Sequence, residues 1–321
     1  MINHILVPLD GSALAECVLS HVQSIAQAFE ASITLLHVLE LSNKRGGEQA
    51  IDPLEWHLKK REAGVYLDGI ATRLRLTNLT VKAVILEGPP AECVIDFANN
   101  NDVDLIALST HGRSGLSGWN VSSVVQKIIL RSFKSTLLIR AYKPSGTEFT
   151  DIHYRRLFVG LDCSTRAEYI LPVAIGLAQF HNAKLILGSI IRKPEMLHRF
   201  PLSDDDADLV KRIADRNYVA ASHYFEQIHS QLSMRGIDHQ TRVVVSDNMT
   251  AALHDMVEQE NADLVMLVAH GHSGESRWPY GSIATSFIAY GTTSLMIMQD
   301  LSEDEIRRTQ AEMAARETKG H

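Results

Sequence analysis

The amino-acid sequence predicts two tandem doubly wound α/β domains, each a five-stranded parallel sheet with helices on both faces. Three observations carry this reading: the whole pattern occurs twice, its strands are continuous apolar runs, and helical periodicity lies between them. At 321 residues the chain has room for two domains of ordinary size. With 45% hydrophobic and 21% charged residues, each half can bury a core.

The first strand, Ile5-Leu6-Val7-Pro8-Leu9-Asp10-Gly11-Ser12, returns 152 residues later as Leu157-Phe158-Val159-Gly160-Leu161-Asp162-Cys163-Ser164. A helix-period pattern follows each: Leu14, Val18, Val22, Ile25 and Phe29 in the first copy, Ile170, Ala174, Leu177 and Ala178 in the second. Second strands at 32–39 and 184–191 keep the same offset. Asp104-Leu105-Ile106-Ala107-Leu108 then pairs with Asp263-Leu264-Val265-Met266-Leu267, 159 residues on, so the second copy has gained seven residues, assigned to its long middle helix. The segment 111–123 aligns without gaps to 270–282, with seven of thirteen positions identical, Trp119 and Trp278 among them. Apolar strands at 136–139 and 294–298 close the copies.

Strands that are apolar throughout are buried on both faces and pair in parallel, with right-handed crossovers between them. The domains are therefore 1–143 and 152–300, with a turn-rich linker at 143–148 and a charged C-terminal tail at 301–321. In the tail, Ser302 stands three residues before Glu305, a capping-box spacing, and the charged remainder predicts a solvated helix. The polar stretch 41–53 reads as a loop.

The formal net charge of −7 argues against a protein that wraps nucleic acid, and no apolar run reaches the length of a membrane span. The N-terminus enters the first strand with no basic region or cleavage site before it, which predicts a cytoplasmic protein. Cys17, Cys93 and Cys163 contain no Cys-x-x-Cys pair. They fit a reducing compartment and neither a disulfide framework nor a zinc site.

A doubly wound sheet binds ligands beyond the carboxyl ends of its strands, where the strand order reverses. Two segments of each copy meet there: the strand-one end (Asp10-Gly11-Ser12, Asp162-Cys163-Ser164) and the strand-four turn (Ser109-Thr110-His111-Gly112, Val268-Ala269-His270-Gly271). The turn leads through nine residues to a small pair, Ser122-Ser123 or Gly281-Ser282, that opens a helix. Backbone N–H groups and the dipole of a helix start attract phosphate. The same residues also serve as ordinary N-caps and turn glycines, and both readings stay open. His270-Gly271-His272 lacks the further ligands zinc requires, Asp204-Asp205-Asp206 after Ser203 reads as a helix start, and Cys163 reads as a small buried residue. With no Ser-His-Asp order, catalytic carboxylate pair or P-loop, no catalytic residue and no protein metal site are assigned.

The Pro-Leu-Asp-Gly-Ser opening, the Ser-Thr-His-Gly-Arg-Ser-Gly turn, the Ser-Ser helix start, Glu87-Gly88-Pro89-Pro90-Ala91 and the Thr136-Leu137-Leu138-Ile139 strand resemble the universal stress protein superfamily. The resemblance covers nearly the whole chain, twice. It implies Rossmann-like, adenine nucleotide α-hydrolase-like domains and a stress-response role. The superfamily's ATP-binding members carry Gly-x-x-Gly-x9-Gly-Ser/Thr and an Asp ending strand one, with the chain after strand two at the adenine. Carried over, the motif gives Ser109, Gly112, Ser122 and Ser123 with Pro8, Asp10 and Val38 in the first copy. In the second it gives Val268, Gly271, Gly281 and Ser282 with Asp162 and Ile190.

Two of the first copy's three glycine positions hold Ser, and Val268 is expected to crowd the second pocket. Arg277, Trp278, Pro279 and Tyr280 would clamp a nucleotide or fill its place. The second copy is the better-kept pocket. The resemblance implies bound ATP, with Mg2+ reached through Asp10 or Asp162, in a sensor or regulator more than a dedicated enzyme. It also implies pairing of the two copies through their fifth strands about a pseudo-two-fold axis, a homodimer, and no nucleic-acid or membrane partner. An interaction protein with decayed pockets and an ATP-hydrolysing enzyme are the alternatives.

Overall fold

The computed structural model describes residues 1–40, 53–112, 121–141, 152–194, 204–271 and 278–319. The loop at 41–52, the linker expected at 143–148, and Ser203, His272 and Arg277 lie outside the described residues. The first repeat holds strands β1 (His4–Pro8), β2 (Ser32–Leu39), β3 (Val81–Glu87), β4 (Leu105–Ser109) and β5 (Ser135–Ile139). The second holds β6 (Arg156–Gly160), β7 (Lys184–Arg192), β8 (His239–Ser246), β9 (Leu264–Val268) and β10 (Ser294–Met298). Within each repeat every pairing is parallel.

The ten strands form one sheet, ordered β3-β2-β1-β4-β5-β10-β9-β6-β7-β8. The fifth strands meet antiparallel at its centre, with Leu138 opposite Leu295 and Thr136 opposite Ile297. A sheet edge that would otherwise expose unpaired N–H and C=O groups is thus closed by its own duplicate, as the fifth-strand pairing predicts. Because the joint is antiparallel, the carboxyl ends of the strands in the two repeats point to opposite edges of the sheet.

Helices α1 (Ala13–Glu16), α2 (Val18–Phe29), α3 (Pro53–Arg75), α4 (Pro90–Asn100) and α5 (Ser123–Ser132) belong to the first repeat. The second has α6 (Leu171–His181), α7 (Asp204–Met234), α8 (Met249–Gln259) and α9 (Ser282–Tyr290), with a 3₁₀ turn, Ala167–Ile170, before α6. One face of the sheet is covered by α2, α3, α6 and α7, and the other by α4, α5, α8 and α9.

The inward stripe of α3, Ala63, Leu67, Ile70 and Leu74, repeats as Ala221, Phe225, Ile228 and Leu232 of α7, 158 residues on. Six of the seven extra residues therefore precede Ala221, which explains why α7 has 31 residues against 23 in α3. The assignment of the insertion to the long middle helix holds.

The repeats also meet through side chains. On one face, α2 touches α6: the His21 Nδ1 lies 2.7 Å from the Tyr154 hydroxyl, and the buried Ser24 Oγ 2.8 Å from His181 Nε2. These groups flank a cavity of about 240 Å³ bounded by Gln23, Gln27, His153 and Phe180. On the other face the buried Arg140 donates to the Phe287, Ile288 and Thr293 carbonyls, 2.5, 3.2 and 3.4 Å away, capping the C-terminus of α9 from the neighbouring repeat.

The tail forms α10 (Glu303–Lys319), opened by the predicted capping box: Ser302 N–H and hydroxyl donate to Glu305 at 2.9 and 2.8 Å. The expectation of a fully solvated helix fails over its first half. Leu301 and Thr309 are buried, and Glu305 pairs with Arg166 of the second repeat at 3.0 Å.

Candidate functional site

Strand order reverses between β1 and β4 in the first repeat, and between β6 and β9 in the second. Those are the positions at which a doubly wound sheet opens a crevice. At each crevice the strand-one aspartate is locked by its own turn. Asp10 Oδ1 accepts from Ser12 N–H at 3.0 Å and from its hydroxyl at 2.6 Å, and Asp162 Oδ1 accepts from Ser164 at the same two distances. The other carboxylate oxygen faces the strand-four turn. A Cβ on Gly112 would lie 2.2 Å from Asp10 Oδ2, and one on Gly271 2.4 Å from Asp162 Oδ2. These glycines are needed because the aspartate stands where a side chain would go.

The turn then delivers a helix start. Ser122 N–H donates to the Thr110 carbonyl at 2.9 Å, and Gly281 N–H to Ala269 at 2.7 Å. Here the repeats diverge. Ser122 is the N-cap of α5, its hydroxyl accepting from Val125 N–H at 3.4 Å, so the first repeat occupies part of its own helix start. In the second repeat the N-cap is Gly281, and no side chain among the described residues caps α9; Ser282, expected as a cap, is its first helical residue. A Cβ on Gly281 would meet nothing nearer than the Ala269 carbonyl oxygen at 3.4 Å. The donor set of α9 therefore fits an anion such as phosphate, and that of α5 fits one less well.

The remaining predicted residues divide by strand alternation. Pro8, Val38 and Ile190 fall on the face covered by α4, α5, α8 and α9, with Val38 and Ile190 half-buried at the strand ends. Ser109 and Val268 fall on the opposite face. Ser109 is buried, its Oγ 2.8 Å from the carbonyls of both Leu14 and His111. Val268 is packed in the core. The expected crowding by Val268 is corrected: its bulk is directed away from the helix start. Tyr280 is corrected too. It is turned into the joint between the repeats, its hydroxyl 3.5 Å from Thr136 Oγ1 and from the Lys134 carbonyl. Pro279 contributes its carbonyl to Gln299 at 3.2 Å, and Trp278 is more than half exposed.

Several participants were not singled out in the sequence. Tyr66 of α3 and Tyr224 of α7, again 158 residues apart, bring buried hydroxyls to the two crevices. Burial, then the charge of Glu16 beside Tyr66 or Glu168 beside Tyr224, pushes both phenols far above their ordinary range. Cys163 has φ 63°, in the left-handed region where its counterpart Gly11 has φ 81°. Burial raises its thiol, so it is kept neutral. His270 bridges Asp300 Oδ1 at 3.0 Å and the Trp278 carbonyl at 2.7 Å. Among the described residues no three His, Cys, Asp or Glu side chains form a metal-ligand group.

A model of the universal stress protein family matches residues 1–140 and again 153–299. The chain belongs to the universal stress protein family, as a tandem two-domain member. Single-domain relatives each align to about half of it. A universal stress protein of Methanocaldococcus jannaschii is 28% identical over 155 residues, 44% of this chain and 96% of its own length. One of Bacillus subtilis is 26% identical over 149 residues, 44% of this chain and all of its own. Among solved structures, a universal stress protein of Pseudomonas aeruginosa superposes with a TM-score of 0.66 at 14% identity, covering 97% of both chains. One from Archaeoglobus fulgidus gives 0.63 at 15% identity, covering 93% of this chain and 99% of its own. At that identity the two structures establish the tandem fold alone. No helix among the described residues is long and apolar enough to cross a membrane.

Proposed function

We propose that this stress protein is a cytoplasmic sensor that binds an adenine nucleotide, ATP with Mg2+, in its second repeat. Asp162, Ile190, Gly271, Gly281 and Ser282 form the site. The supporting observation is the start of α9, whose N-cap is a glycine and which no side chain among the described residues caps, set at the strand-order reversal beside Asp162. Phosphate would take the first-turn N–H groups of α9, the base would lie against Ile190, and Asp162 would face the ribose or, through water, Mg2+. Val268 supports the pocket from the core side. What ATP supplies is a phosphate charge that orders the turn. Among the described residues no side chain at the crevice is set up as a nucleophile or a base, which favours binding over a dedicated enzyme activity.

In the first repeat Pro8, Asp10, Val38, Gly112, Ser122 and Ser123 form the equivalent crevice. The Ser122 self-cap and the anchored Ser109 favour a second reading for this half, a scaffold whose pocket has decayed. We also propose that two chains pair as a homodimer. The test is mass spectrometry of small molecules released from natively purified protein, quantified per chain. One adenine nucleotide per chain is expected. None, with no thermal shift in millimolar Mg-ATP, would leave the interaction protein as the better reading.

A further inference from the structure

The second repeat carries an ion cluster with no counterpart among the described residues of the first, and it joins the crevice to the C-terminal helix. Asp300, just after β10, has a side chain only 2% exposed. It accepts from the backbone N–H of His270 at 3.1 Å and from the His270 ring at 3.0 Å, and it pairs with Arg166. Arg166 lies four residues beyond Asp162 and also donates to Glu305 of α10 at 3.0 Å. Glu305 in turn closes the capping box on Ser302. A ring therefore runs from Asp162 through Gly271 and His270 to Asp300, then through Arg166 to α10 and back to the crevice loop. At the corresponding places the first repeat has Leu14 for Arg166 and Ala141 for Asp300, and its His111 ring is 3.1 Å from the Thr110 hydroxyl.

A buried carboxylate with a full set of donors is held in place, because removing one donor leaves an uncompensated charge. Both walls of the crevice, the loop after β6 and the turn after β9, contribute donors to this one carboxylate. Any displacement of either wall must disturb it. The helix it holds has few other ties: Leu301 and Thr309 are buried, while Ser302, Glu303, Asp304, Arg307 and Arg308 are exposed.

We propose that Arg166 and Asp300 latch helix α10 to the second crevice, so that the order of the helix follows the state of that crevice. The part of this inference that concerns nucleotide rests on the reading given above. A ligand that fixes Asp162 and the His270–Gly271 turn orders the same walls that hold Asp300, so ligand and latch strengthen each other. Linkage requires the two effects to be equal in size.

The experiment is hydrogen exchange by mass spectrometry on the full chain, following peptides from 303–313 and, as an internal reference, the core strand 264–268. The proteins are wild type, Arg166→Ala, Glu305→Gln, which keeps the capping box, and Gly271→Ala, which forces Asp162 aside. All are measured with and without Mg-ATP. Without nucleotide, Arg166→Ala, Glu305→Gln and Gly271→Ala are each expected to speed exchange in 303–313 at least about five-fold more than in the reference strand. Mg-ATP is expected to slow it by a similar factor in wild type only. Unchanged exchange in Arg166→Ala and Glu305→Gln would overturn the latch, and unchanged exchange in Gly271→Ala would overturn its link to the crevice, whether or not nucleotide binds. Protection by Mg-ATP at 268–285 with none in 303–313 would overturn the linkage and leave the nucleotide reading standing. Absence of Mg-ATP protection everywhere, with Gly271→Ala still releasing α10, would refute the nucleotide reading and uphold the latch.

Discussion

The two crevices share one frame and differ in what has been done to it. Both hold a strand-one aspartate in the same serine turn, and both need a glycine where that aspartate crosses the strand-four turn. The first then satisfies its own helix start with Ser122 and ties Ser109 to the Leu14 segment. The second starts α9 with Gly281, with no side-chain cap among the described residues, and ties Asp300 and Arg166 to the C-terminal helix. On the proposed reading, duplication has allowed one copy to become structure while the other keeps an anion site connected to the C-terminal helix. Sequence identity in the 111–123 and 270–282 segments is high, yet the decisive difference is a single hydroxyl at position 122 against none at 281.

The largest effect expected from breaking the comparison comes at the two crossing glycines. Gly112→Ala and Gly271→Ala each put a methyl within 2.2 or 2.4 Å of a carboxylate oxygen, so both variants should lose stability by about 1–3 kcal/mol in urea denaturation. Only Gly271→Ala should lower nucleotide affinity, by more than about ten-fold in calorimetry. Equal loss in both variants would mean that the crevices are functionally equivalent.

Acid should act next, on the joint that makes the two repeats one body. Burial lowers His21 to about 4, and burial with the charge of His153 lowers His181 to about 4. Their ordinary value is 6.5, so above it both are neutral in folded and unfolded chains alike, and the stability of the joint is fully present. As pH falls from 6.5 towards 4, the unfolded chain binds the extra protons and that stability is lost, about 3 kcal/mol for His21 alone. Tyr154, Ser24, Gln23 and Gln27 face these rings without supplying a carboxylate to offset the charge. Thermal melts between pH 7 and 4 should show a falling midpoint, and His21→Gln should flatten the curve. Curves that overlay would show that the α2–α6 contact is dispensable.

The smallest effect concerns the left-handed position after each aspartate. Cys163→Gly should stabilise the second repeat by about 1 kcal/mol, and Gly11→Ala should destabilise the first by a similar amount, both read from denaturant midpoints. A stabilising Gly11→Ala would place that loop outside the strained region.

Most of the fold was legible because it rests on periodicities the chain prints directly. Continuous runs such as Leu105–Leu108 and Leu264–Leu267 can only be parallel interior strands, and their recurrence fixed the domains. The fifth-strand joint was what the family resemblance implied, and β5 does pair with β10. The site was legible as far as its backbone: Asp10, Asp162, Gly112, Gly271 and the two helix starts do converge. Side-chain direction was not. Val268 and Ser109 stand in register with Leu105, Ala107 and Met266, whose alternation places them on the α2 and α6 face, so a bulk that reads as obstruction is core packing. Tyr280 reads as a pocket residue from its neighbours but serves the joint. Tyr66, Tyr224 and the Arg166–Asp300 pair act across distant parts of the chain, and only the 158-residue alignment of α3 with α7 could have signalled the tyrosines. The docked half of α10 escaped notice because one buried Thr309 among charges makes no periodic signal.

The most direct test of the asymmetry is a calorimetric titration with Mg-ATP of wild type, Gly281→Ser, which gives α9 the cap α5 already has, and Ser122→Gly, which removes it. The predicted result is one site per chain in wild type, weakened at least about five-fold by Gly281→Ser, with a second, weaker site appearing in Ser122→Gly. Two equal sites in wild type, or one whose affinity ignores Gly281→Ser and falls with Ser122→Gly, would contradict it.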